Sequence, residues 1–392
     1  MQFSHVIGQS LVKEKLTGLF RQNRVSHALL FLGREGTGGM PLARAFAQYL
    51  VCEKINGSNK GNDLFGTNED VPSDDAEDSC GVCPSCMKAT GMVHPDIHYS
   101  FPTIKKSSDT VICADYMNEW RSFHQTNPYG NIFDWLQHIE AENKQGNITA
   151  AECNDIARKL NLKSFESGLK ILVMWMPEYL GKEGNKLLKL IEEPPDKTVF
   201  ILVAENENSI LPTILSRTQL IKVPPVTDVE METSLRSRDE LTEQQVSRVV
   251  AWSNGNYHRA LELLQQGENE NEPLLREWMN TILKSGPAAQ IKWIDEIGKW
   301  GREQQKHFLN FFLQQVESAI RLSAFGNSAS ATNDFALRLN KLCSVHQLEA
   351  ISEELTQSVY QIERNAHARI LFHALTIRLY HIIGNNSVIL LG

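Results

Sequence analysis

The 392-residue chain has no apolar run approaching the roughly 20 residues needed to cross a bilayer. That excludes a helical membrane span. Its first residues, Met1-Gln2-Phe3-Ser4-His5, lack a basic stretch leading into an apolar core. No signal peptide is expected, and the expected location is the cytoplasm. Positive charge is scarce: 39 Lys and Arg stand against 47 Asp and Glu, a formal net charge of −8. Nucleic-acid binding through overall charge is thereby excluded, and any DNA contact has to be local. Cysteine is sparse, at seven, which in a chain without an export signal points to metal or buried thiols rather than disulfides. Internal repeats are missing as well. What is left, 42% hydrophobic and 22% charged, is an ordinary soluble composition, long enough for two or three domains.

One stretch is defined by what it contains and by what it omits. Ala28–Leu32 is an apolar run that enters a loop holding Gly33, Gly36, Gly38 and Gly39, followed by helix formers over residues 41–50. Strand, glycine loop and helix form the layout of a phosphate-binding loop, whose glycines let backbone N–H groups approach the ligand. The pattern Gly-x-x-x-x-Gly-Lys-Ser/Thr is met at Gly33 and Gly38, but the lysine position is Gly39 and the hydroxyl position is Met40. The lysine would hold the β- and γ-phosphates, and the hydroxyl would hold magnesium. A chance glycine-rich turn is the bland alternative.

The second nucleotide element is also incomplete. A P-loop ATPase needs a strand that ends in carboxylates. In the candidate strand Trp175 and Met176 occupy those places, and Glu178 lies past the strand end. Each lost charge-assisted contact is worth roughly 1.5–3 kcal/mol. Weak nucleotide affinity and negligible hydrolysis are the expectation.

Patterning along the chain supplies the frame. Residues 3–20 alternate like an amphipathic helix after a short lead, and residues 53–79 are polar, without period, and read as a loop. The segment from His94 to Tyr99 enters a strand. Residues 103–147 read as an insertion, with short helices near 116–123 and 133–139 around an Asn127-Pro128-Tyr129-Gly130 turn. Thr149-Ala150-Ala151-Glu152 reads as a capping box that opens a helix through Leu160. Buried strands are expected at 169–176 and 198–204, with a helix at 183–193 stopped by Pro194-Pro195. A helical turn at 210–217 and a last strand at 219–223 follow. Strands alternating with helices predict a parallel, doubly wound α/β sheet. Strand signals end at Pro224. Residues 226–268 read as a small helical unit and residues from 273 onward as a larger one, with Phe308, Phe312, Val316 and Ile320 at helical spacing.

Cys52 closes the helix after the loop, and Cys80, Cys83 and Cys86 follow with two residues between neighbours. Four thiolates so spaced can close tetrahedrally around zinc. A [4Fe–4S] cluster uses similar spacing, and plain buried cysteines are the bland reading. Zinc is favoured because no redox partner domain is evident. Cys113, Cys153 and Cys343 are isolated and read as structural, while His94 and His98 read as packing or surface residues.

The order of Val6-Ile7-Gly8-Gln9, Arg24-Val25-Ser26-His27-Ala28, Phe31-Leu32-Gly33, Leu187-Leu188-Lys189-Leu190-Ile191-Glu192-Glu193-Pro194-Pro195 and Leu211-Pro212-Thr213-Ile214-Leu215-Ser216-Arg217 resembles the clamp-loader subunits of the AAA+ class. The cysteine cluster is similar to that of the bacterial subset. The broken loop and strand look like a non-catalytic subunit of the DNA polymerase III clamp loader rather than its ATPase subunit. The long loop, the insertion and Thr218, where the family more often has Cys, are departures.

The resemblance implies an AAA+ module over 1–224, with a zinc module at about 52–86 and an insertion at about 103–147. It also implies a helical lid over 225–270 and a helical collar over 271–392. The implied assembly is a heteropentameric ring with tau/gamma and delta subunits. That ring opens a sliding clamp and loads it on primed DNA. In the family the arginine matched by Arg217, beside Ser216, reaches the neighbour's γ-phosphate as a finger. A planar, permanently charged fork suits that role. Arg259 matches the lid position that senses a subunit's own nucleotide; with no nucleotide it reads as structural. Trp278, Trp293 and Trp300 read as core or interface rather than base-stacking platforms. An active NTPase with an unusual P-loop and an iron–sulfur protein are the alternatives.

Overall fold

The computed structural model describes residues 1–56, 77–104, 111–141, 144–238, 241–265, 271–325, 334–364 and 366–385. The 53–79 loop lies mostly outside the described residues, and parts of the 103–147 insertion do too. The chain forms two compact units. The first is Met1–Asn131, Gly146–Ser234 and Gly255–His258; the second is Ile132–Gln145, Leu235–Asn254 and Arg259–Gly392.

The first unit is built on five parallel strands: β1 (Ala28–Leu32), β2 (Ile97–Ser100), β3 (Lys170–Trp175), β4 (Thr198–Ala204) and β5 (Gln219–Lys222). Their order across the sheet is β2-β3-β4-β1-β5. This is the parallel α/β sheet that the alternation of strands and helices predicts. β3 and β4 are buried along their whole length, which is why they read as unbroken apolar runs rather than as alternating ones. Leu30, Leu172, Phe200 and Leu202 meet Leu187 and Ile191 of the helix Gly184–Glu192 in one core. β1 lies between β4 and the edge strand β5, and the glycine loop emerges at its carboxyl end, the end of the strands where ligands usually bind in such folds.

The expected capping box at Thr149 is only half formed. Thr149 Oγ1 accepts from the Glu152 N–H at 3.2 Å, and the helix runs Ala150–Leu160. The carboxylate of Glu152 turns inward instead and accepts from the Cys113 N–H at 2.7 Å. A buried donor on the insertion competes better for that carboxylate than the helix's own exposed end does. Burial raises the Glu152 pKa.

The second unit is helical. Its principal helices are Asn271–Lys284, Pro287–Ile297, Arg302–Phe325, Asp334–Leu342, Val345–Glu363 and Ala368–Asn385. The stripe Phe308, Phe312 and Val316 is fully buried, and Ile320 packs partly buried against the same core. Trp278 and Trp293 stack at 4.8 Å with ring planes 3° apart, and the Trp278 Nε1–H donates to Thr376 Oγ1 at 3.1 Å. Both indoles are core residues, and Trp300 packs edge-on to Phe308. Among the described residues no helix is long and apolar enough to cross a membrane.

Candidate functional site

The glycine loop is braced from behind and covered from the front. Gln9, buried and left-handed at φ 62°, donates from Nε2 to the carbonyls of Thr37 at 3.1 Å and Pro224 at 2.6 Å. Gly36 and Gly38 have φ of 71° and 94°, backbone that glycine adopts without strain. Gly38 precedes the helix Gly39–Val51. Residues from distant segments of the same unit pack against the loop. A Cβ on Gly36 would lie 1.7 Å from Asn256 Oδ1, and one on Gly38 would lie 3.0 Å from Tyr129 Cε1. The Tyr257 N–H donates to the Gly36 carbonyl at 2.9 Å. The Tyr129 hydroxyl accepts from the Ile7 N–H at 2.8 Å, and its ring lies 4.8 Å from that of Tyr257. The cavity left between Gly33, Gly38, Tyr129, Trp175 and Glu205 is about 30 Å³, room for one or two waters.

The candidate strand, β3, offers no carboxylate. Trp175 is buried, with its ring 5.4 Å from Trp120 and 6.4 Å from Phe123. Met176 is buried too, with φ 58°, and its N–H donates to the Val203 carbonyl at 2.9 Å. Glu178 accepts from the N–H groups of Glu205 at 2.6 Å and Asn206 at 3.0 Å, closing the end of β4.

Arg217 follows the short helix Pro212–Leu215 and is partly exposed. Its Nε lies 2.6 Å from Glu192 Oε1, and its Nη1 donates to the Thr213 carbonyl at 2.9 Å and to Ser216 Oγ at 3.1 Å. Ser216 in turn donates from Oγ to the Thr213 carbonyl at 3.1 Å. Arg259 lies in the second unit and is buried. Its Nε donates to the Trp252 carbonyl at 3.1 Å, and its guanidinium stands 5.4 Å from the centre of the Phe311 ring.

The four cysteines converge. The Sγ atoms of Cys52, Cys80, Cys83 and Cys86 all lie within 4.8 Å of one another. Backbone N–H groups of Cys80, Cys83 and Cys86 point at the sulfurs of Cys52, Cys80 and Cys83, each at 3.4 Å. Such donors favour thiolates, the metal-binding form. The hydrogen bond shared with Cys86 pulls the Cys52 thiol down to about 5 and pushes Cys86 up. Glu53 accepts from the Ser85 N–H and hydroxyl at 3.1 and 2.9 Å, and Asp78 accepts from the Phe3 and Ser4 N–H groups at 2.9 Å. The cluster is thus tied to the body of the unit. Its donor set fits a tetrahedral metal ion. His94 and His98 are not part of it; burial lowers the pKa of both.

Three residues at this site carry no sequence signal of their own. Tyr129, Asn256 and Tyr257 cover the loop from segments distant in sequence, and a turn or helix residue of these types is otherwise ordinary. Glu192 is hidden differently, inside a motif whose proline stop draws the eye.

The family model for the DNA polymerase III delta subunit matches residues 8–227. The chain is similar to DNA polymerase III subunit delta' of Bacillus subtilis, at 24% identity over 265 residues, covering 66% of this chain and 60% of the relative. It is similar to subunit tau of the same organism at 23% over 331 residues, 82% of this chain and 48% of the relative. It is also similar to subunit delta' of Haemophilus influenzae at 22% over 354 residues, 88% of this chain and 89% of the relative. The chain thus spans about half to three fifths of the two Bacillus relatives and most of the Haemophilus one. The chain belongs to the DNA polymerase III delta subunit family, and within it is delta-prime-like.

Proposed function

We propose that this chain is a non-catalytic, delta-prime-like subunit of a bacterial DNA polymerase III clamp loader. It helps open a sliding clamp and load it on primed DNA. Its partners are tau/gamma and delta subunits in a heteropentameric ring in the cytoplasm. The chain hydrolyses no ATP itself and gives Arg217, beside Ser216, in trans to a neighbouring ATPase subunit. Residues 1–224 form the AAA+ module, 225–270 the lid and 271–392 the collar. Cys52, Cys80, Cys83 and Cys86 hold zinc.

The observation that carries the reading is a contrast. The loop at Gly33–Gly39 lacks its lysine and hydroxyl, and Tyr129 and Asn256 pack against its glycines. Arg217, by contrast, sits partly exposed within an intact motif. The chain keeps what it would give and lacks what it would use. The test is a reconstituted loader carrying Arg217→Ala. The variant chain folds and assembles, since an exposed arginine contributes about 0–1 kcal/mol. Clamp- and DNA-stimulated ATP turnover falls, because one site loses its transition-state cation. A finger is worth about 10³–10⁵ in rate at a single site; the total loss is smaller because other sites keep theirs. Wild-type turnover and clamp loading reject the assignment. Calorimetry of ATP binding to the isolated chain separates the alternative of an active NTPase, for which micromolar affinity with turnover is required. Metal analysis with a visible spectrum separates an iron–sulfur protein.

A further inference from the structure

The two motif stretches that the nucleotide site does not use meet in space. Glu192 is the last residue of the helix Gly184–Glu192, which Pro194-Pro195 cannot continue. Arg217 follows the turn Pro212–Leu215. We propose that Glu192 is the positioning residue for Arg217. This rests on reading Arg217 as an arginine given in trans.

The guanidinium is held along two of its nitrogens. Nε is taken by Glu192 Oε1 at 2.6 Å, and Nη1 by the Thr213 carbonyl and Ser216 Oγ at 2.9 and 3.1 Å. Among the described residues Nη2 donates no hydrogen bond, and its two N–H groups are the donors left for an anion. A free arginine side chain explores many rotamers, and freezing them at the moment of reaction costs rate. A carbonyl, a hydroxyl and a carboxylate around one fork remove most of that freedom beforehand. The carboxylate is the one member of the three contributed from outside the 211–217 stretch, and it is set by a helix end whose position the prolines fix. An ion pair this exposed does little for folding, so its removal affects the aim of Arg217 rather than the stability of the chain.

The experiment uses the reconstituted loader with Glu192→Ala, Glu192→Gln, Arg217→Ala and the double variant Glu192→Ala/Arg217→Ala. Glu192→Ala lowers kcat about tenfold at the one site that Arg217 serves, the effect of a single charge-assisted contact in the transition state. KM for ATP is unchanged, because the neighbour binds the nucleotide with its own residues. Glu192→Gln keeps an acceptor oxygen and falls between wild type and Glu192→Ala. The double variant is no slower than Arg217→Ala alone. Wild-type kcat with Glu192→Ala, a raised KM at unchanged kcat, or additive losses in the double variant each overturn the role of Glu192 while leaving Arg217 in place. Wild-type turnover with Arg217→Ala overturns the underlying reading instead.

Discussion

At the positions of Gly39 and Met40 a phosphate-binding loop normally carries its two working groups, and restoring them is a direct test of what else is missing. Gly39→Lys with Met40→Thr is expected to give no ATPase. Trp175 and Met176, both buried, still stand where β3 would need carboxylates. Tyr129 still covers Gly38, and the new Cβ at position 39 would lie 3.1 Å from Val203 Cγ1, a tight fit. The check is steady-state ATP hydrolysis by the purified double variant, and appreciable turnover would show that the ATP-site carboxylates lie elsewhere. The missing groups were legible in the sequence because a motif fixes them relative to Gly33 and Gly38. The covering groups were not. Tyr129 and Asn256 reach the loop only through the fold, and neither position is marked by spacing or composition.

At the scale of elements, the cysteine cluster is an excursion between the helix Gly39–Val51 and β2, not a part of the sheet core. Under the proposed zinc site, Cys83→Ser is therefore expected to lose the zinc and to loosen residues around 80–86, while the sheet keeps its circular-dichroism signal. Cys83 also caps the helix Pro84–Thr90 by accepting from the Cys86 N–H, so that short helix frays with it. Metal content by mass spectrometry decides the matter: an unchanged content rejects a four-cysteine site. β2 yields a second expectation. Burial first, and Lys159 next, lower the His98 pKa from 6.5 to about 4. Folded His98 is thus neutral where the unfolded chain would be protonated. Stability from this group is present above about pH 6.5 and is lost as pH falls towards 4. Buried His124 and His94 shift in the same direction. Thermal melts between pH 7 and 4 should show a falling midpoint, less steep in His98→Gln; an equally steep fall in that variant rejects the contribution of His98. β1, β3 and β4 were legible as apolar runs, whereas β2 and β5 mix polar and apolar residues; the short helices Met117–Thr126 and Ile132–His138 were marked by the Asn127-Pro128-Tyr129-Gly130 turn between them. Of the capping box at Thr149 only the Thr149 half forms, since local spacing says nothing of a distant N–H such as that of Cys113.

For the molecule as a whole, the α/β order was legible because a parallel sheet buried on both faces writes continuous hydrophobic strands separated by helices. The grouping of Ile132–Gln145 with the helical unit was not legible, since it rests on contacts such as Phe133 stacking on His307 at 4.9 Å and Arg302 donating to Gln145 at 2.9 Å. Each unit nonetheless has its own apolar core, one around Phe200 and Leu172 and one around Trp278 and Phe312. Damage to one core is therefore expected to stay in one unit. Trp278 is fully buried, stacked on Trp293 and hydrogen-bonded to Thr376, so Trp278→Ala removes a large apolar volume and leaves the Thr376 hydroxyl without its donor. The expected cost is about 3–5 kcal/mol. Scanning calorimetry of this variant should show the helical unit melting early and the sheet unit at its wild-type temperature, with the metal content of the cysteine cluster unchanged. Under the proposed function, in which residues 271–392 are the collar of the ring, such a chain is also expected to fail to join the loader while its sheet unit stays intact. A single transition shifted as a whole would show instead that the two cores fold as one.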